Sequence, residues 1–105
     1  MNQGKLYEAA NEFEWARKLL PDSPHPRINL ALTMECAGRT DEAFRGYIAA
    51  LEVAPECVAA MQGAAMIVVS RGRDDDRLER WLDNITLRGE TAQWKAWARA
   101  HSDTL

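Results

Sequence analysis

The chain reads as all-α, a short stack of antiparallel helix pairs folded as one domain over residues 1–105. Three observations predict this. The sequence repeats itself at an interval of 34 residues, glycines and prolines fall at the boundaries this interval defines, and no segment alternates long enough to make a strand. A chain of 105 residues has room for one core, because domains usually run to about 100–150 residues.

The 34-residue shift superposes Gly4, Gly38 and Gly72, each followed by a base: Lys5, Arg39 and Arg73. It also superposes Phe13, Tyr47 and Trp81, then Leu19, Val53 and Leu87. Ala9 falls on Ala43, Ala16 on Ala50, and Pro21 on Pro55. Glycine enters the left-handed region without a side-chain penalty, so Gly38 and Gly72 mark turns between paired helices. Ala9 and Ala43 let two backbones approach, and the bulky Phe13, Tyr47 and Trp81 fill the space beside them. Pro21 and Pro55 mark where one helix stops and the next begins.

Six helices follow in order, at about 4–19, 25–37, 41–53, 57–70, 75–88 and 91–101. Thr40, Asp74 and Thr91 are the expected N-caps, their side-chain oxygens accepting bonds from otherwise unpaired amides. Asp74, Asp75 and Asp76 place negative charge where the macrodipole of the fifth helix favours it. Trp94, Trp97, Ala98 and His101 share one face of the last helix, which is expected to cover the end of the stack.

In repeat length and spacing the sequence resembles the tetratricopeptide family. The best unit, residues 24–57, carries Asn29, Leu30, Ala31, Met34, Gly38, Ala43, Tyr47, Ala50 and Pro55 at the motif positions, with Arg27 where the first large aromatic would stand. Residues 4–23 form a half repeat that has only its second helix. Residues 58–90 form a degenerate repeat, with Arg77, Asn84 and Gly89 replacing two alanines and a proline, and residues 91–101 cap it. The resemblance implies a right-handed superhelix of about two and a half repeats. It also implies a concave groove, lined by the first helix of each pair, that holds a peptide or helix of a partner protein.

Composition and motifs limit the other possibilities. Residues 1–56 carry nine acids against six bases and residues 57–105 seven of each, so neither half forms the basic stripe that nucleic acid needs. The longest apolar run, Ala64 to Val69, is far short of the roughly 20 residues that span a bilayer, and the first residues do not resemble a signal peptide. A cytoplasmic protein without membrane association is expected. Cys36 and Cys57 are expected to stay reduced, with Cys36 filling structure. His25 and His101 lie far apart and no helix carries a His-x-x-x-His or Glu-x-x-His spacing, so neither a metal nor a cofactor is expected. No nucleophile, base and acid converge, and the expectation is a protein that is not an enzyme.

Mapped through the resemblance, the groove presents Ile28, Asn29 and Leu32 from one helix, with His25, Glu35 and Cys36 beside them. Gln62, Met66 and Val69 come from the next, beside Ala59, Gly63 and Ser70, and Lys95 and Arg99 from the last. Some family members clamp a C-terminal carboxylate with lysine, asparagine and arginine. Here Asn29 has a counterpart but Ile28, Leu32 and Gln62 stand where charge would be wanted, so an apolar peptide or amphipathic helix is the expected ligand and acidic chaperone tails are not. Trp94 and Trp97 either grip a ligand or close the core, and their spacing favours the core. The alternative is self-association, possible as a homodimer, through Tyr7, Phe13 and Trp15 on a first helix with no helix before it.

Overall fold

The computed structural model describes residues 3–105, which form six helices: α1 (Gln3–Leu19), α2 (His25–Cys36), α3 (Thr40–Val53), α4 (Val58–Arg71), α5 (Leu78–Arg88) and α6 (Ala92–Ser102). No strand occurs among the described residues. Each helix packs mainly on its neighbours in sequence, giving a body 40 × 27 × 25 Å.

The 34-residue interval has a physical counterpart in the chain's turns. Gly38 and Gly72 have φ of +77° and +62°. The Gly38 and Gly72 amides donate to Glu35 and Val69 carbonyls, and the Arg39 and Arg73 amides to Met34 and Val68 carbonyls. Two helices 34 residues apart therefore end in the same Schellman arrangement, which satisfies their last carbonyls. The next residue repeats its role as well. Arg39 donates from Nη2 to the Tyr7 hydroxyl at 3.5 Å, and Arg73 from Nη2 to the Asp41 carboxylate, so each arginine reaches an equivalent position on the helix before.

Helices α3 and α4 run antiparallel. Thr40, at the start of α3, accepts a 2.8 Å bond from Arg71 at the end of α4, while Tyr47 in mid-helix lies against Gly63. The core follows from this pairing: Ala31, Ala43, Ala50, Ala60, Ala64 and Ala65 are fully buried, and Tyr47, Trp81, Leu82 and Ile85 fill the volume between the helices. Small residues set the separation. A Cβ on Gly46 would come within 2.9 Å of the Ala31 Cβ, and one on Gly63 within 2.4 Å of the Tyr47 ring.

Several expectations need correction. Thr40 is not an N-cap: it is the first residue of α3, and Arg71 engages its hydroxyl. Asp74 is not one either, because α5 begins at Leu78. Asp75 accepts from both the backbone amide and the guanidinium of Arg77, and this fixes 75–77 as a turn ahead of the helix. Thr91 does cap α6, accepting from the Trp94 amide at 3.1 Å. Cys36 is exposed at the end of α2, so it does not fill the core.

The motif departures also acquire reasons. Arg27 donates from Nη1 to the carbonyls of Pro21 and Ser23 at 2.9 and 3.2 Å, tying the α1–α2 loop. Arg77 lays its guanidinium over Phe44 and Trp81, 5.8 and 5.1 Å from the ring centroids. Gly89 donates its amide to the Ile85 carbonyl at 2.8 Å, a bond that a proline would forfeit.

Replacing Gly63 by alanine gains about 1 kcal/mol of helix propensity but forces the Tyr47 ring aside, and overpacking costs about 1–3 kcal/mol. We expect a net loss of stability in urea denaturation. An unchanged or raised midpoint would mean that the ring has room to move.

Candidate functional site

Tyr47 carries the site. Projecting from α3 between α2 and α4, it is buried, and its hydroxyl donates to Oε1 of Glu35, near the end of α2. Gly63 makes this possible, since any side chain there would occupy the space of the ring. Burial, and then the Glu35 carboxylate, push the phenol pKa well above its ordinary value.

A second polar tie fixes the far side. Gln62 on α4 is 2% exposed, and its Nε2 donates to Glu90 Oε1 at 2.5 Å while its Oε1 accepts from the Glu90 amide at 2.9 Å. Both ends of the buried amide are thereby satisfied, and the α5–α6 connection is pinned to α4. With Thr91 capping α6, this sets Trp94 beside α4.

Between these ties lies a groove of about 330 Å³ lined by Ile28, Leu32, Glu35, Tyr47, Ala59, Gln62, Gly63, Met66, Glu90 and Trp94. A second hollow of about 360 Å³, lined by Met66, Thr91, Gln93, Trp94 and Trp97, shares Met66 and Trp94 with it. Trp94 and Trp97 meet edge to face with centroids 5.3 Å apart, and Trp97 stacks at a tilt on His101. Both tryptophans are half-buried, so they wall the hollow as well as packing against the core. Leu32 and Met66 stand 49% and 37% exposed in the groove. Among the described residues its ionisable groups besides the Tyr47 phenol are the carboxylates of Glu35 and Glu90, and no described His, Cys, Ser or Lys lines it.

The structure places Ile28, Leu32, Gln62 and Met66 in one lining, with Ile28 buried as part of the floor. Asn29 is exposed but outside the lining, and Val69 is half-buried and also outside it. Lys95 and Arg99 are exposed on α6 and line neither hollow, so the charge beside the groove is acidic. On α1, Tyr7 and Trp15 are exposed and Phe13 is half-buried, all outside the groove. Tyr47 and Glu90 were not expected in the lining, and for Trp94 the spacing favoured the core over a ligand contact. The signal that could have placed Tyr47 there is Gly63, a glycine inside an apolar helix, where only a neighbouring ring needs the missing side chain.

No protein-family model and no curated protein matches this chain. Among the described residues no helix is long and apolar enough to cross a membrane.

Because the folded phenol is raised, Tyr47 contributes stability that is present below the unfolded value of 10.0 and is lost as pH rises above it. Tyr47→Phe should cost about 1 kcal/mol at neutral pH, where it removes one hydrogen bond. The same variant should flatten the decline in stability above pH 10.0. Denaturant titrations from neutral to alkaline pH test this, and parallel curves for the two proteins would contradict it.

Proposed function

We propose that this chain is a non-catalytic interaction module, a tetratricopeptide-like right-handed stack whose groove holds an apolar peptide or amphipathic helix of a partner protein. The observation that carries this is the pairing of Leu32 and Met66, both well exposed over a floor of Ile28 and Tyr47 and beside Trp94. Large apolar side chains gathered in a concave surface gain by being covered, at about 25 cal/mol per Å² of apolar area. Methionine and leucine also adapt to irregular partner surfaces. The stack itself is supported by the equivalent turns at Gly38 and Gly72 and the equivalent arginine ties.

The carboxylates of Glu35 and Glu90 bias the partner's chemistry. An apolar anchor flanked by lysine or arginine meets attraction there, whereas an acidic chain terminus meets like charge. Among the described residues the lining has no serine, cysteine, lysine or histidine, which supports a binding role over catalysis.

Leu32→Glu and Met66→Glu should each weaken capture of a partner segment by at least tenfold, about 1.4 kcal/mol, with helicity by circular dichroism unchanged because both residues are exposed. Affinity chromatography from the native source, followed by titration of the captured segment, measures this. Retention of every partner by both folded variants would refute the groove as the binding site.

A further inference from the structure

Helix α1 presents a second surface with no place in the groove. Glu8, Glu12, Trp15 and Leu19 follow one another at i, i+4, i+7 and i+11, which puts them on one face, and all four are exposed, Trp15 by 63%. Moved on by 34 residues, this row becomes Glu42, Gly46, Ala49 and Val53 of α3. Of these, Gly46 is seated against Ala31 of α2, Ala49 and Val53 are half-buried, and Glu42 is exposed. The position that meets α2 on α3 thus has an exposed equivalent on α1, Glu12, with the exposed Trp15 and Leu19 following it along the same face.

The opposite end of the stack offers the complementary chemistry. Lys95 and Arg99 are exposed one turn apart on α6, and Lys95 packs its stem close to Gly89, two residues beyond Leu87, which is 75% exposed. None of Glu8, Glu12, Lys95 or Arg99 forms an ion pair among the described residues. One end therefore displays two acids and then apolar side chains, and the other two bases and then an apolar side chain. We propose that the chain associates head to tail with a second copy of itself, α1 of one copy lying antiparallel on α6 and the end of α5 of the next. This orientation sets Glu8 opposite Arg99 and Glu12 opposite Lys95, with Trp15 and Leu19 carried toward Leu87.

A two-fold pairing of α1 with itself is disfavoured by the same charges. Parallel, it stacks Glu8 and Glu12 on their own copies. Antiparallel, it sets both carboxylates against the partner's Trp15 and Leu19, which desolvates them without a counter-charge. Head-to-tail contacts are heterologous, so assembly continues past the dimer unless the rotation closes a ring.

Sedimentation and light scattering of the purified chain over a range of concentrations test the proposal. The expected result is a mass that rises with concentration and falls when salt screens the charges. Trp15→Asp alone and Lys95→Glu with Arg99→Glu should each give monomers, and a mixture of the two should form a one-to-one dimer, because each variant retains the end the other has lost. Glu8→Lys with Glu12→Lys serves as a second break of the α1 end that leaves Trp15 in place, and circular dichroism confirms folding of every variant. A wild-type mass that stays monomeric at the highest concentration reached would overturn the proposal. So would a wild-type dimer unaffected by reversal of Lys95 and Arg99, or a mixture that remains monomeric.

Discussion

How closely the helices can approach one another around Tyr47 governs the rest of the molecule. A phenol buried between α2, α3 and α4 needs small residues around it. Gly63 gives the ring its place, while Gly46 against Ala31 keeps α3 near enough to α2 for the hydroxyl to reach Glu35. Buried hydroxyls need a partner, and a carboxylate at the end of α2 supplies one without being buried itself. The ring thereby does two things. It fills core volume, and it fixes the floor of the groove between the two helices that carry Leu32 and Met66.

The far wall depends on a different kind of interaction. Gln62 is buried in α4 with both ends of its amide bonded to Glu90, so the α5–α6 turn cannot leave α4 without exposing a pair of unmet hydrogen-bonding groups. That constraint, with the Thr91 cap, holds Trp94 where it lines both hollows. Core packing, polar satisfaction and the shape of the groove are in this way consequences of a few side chains whose neighbours leave them little choice.

The helical class and the helix order were legible from the sequence because glycine punctuation and the 34-residue interval report backbone requirements directly. Gly38 and Gly72 do adopt positive φ, and the arginines after them make equivalent ties. The start of α5 was not legible, since Asp75 bonds to Arg77 and makes a turn of residues that charge alone would assign to a helix. In the groove, Ile28, Leu32, Gln62 and Met66 were placed through the family resemblance, which assigns the lining to the helices that became α2 and α4. Glu90 and Trp94 were not, because they enter through the turn between α5 and α6, whose path is fixed by a hydrogen bond spanning 28 residues. Lys95 and Arg99, expected at the groove's rim, stand outside it, which leaves the carboxylates of Glu35 and Glu90 as the charges in its lining.

If the groove is where a partner binds, the four methionines of the chain offer a direct readout. Met66 stands exposed in the groove and Met61 is buried in the core of the same helix, five residues away. Methyl-labelled methionine NMR during titration with a captured partner segment therefore separates local contact from general loosening. The result expected is a large shift of the Met66 methyl signal with Met61 nearly unmoved. Saturable binding that leaves the Met66 signal in place would contradict the assignment of the groove as the binding site.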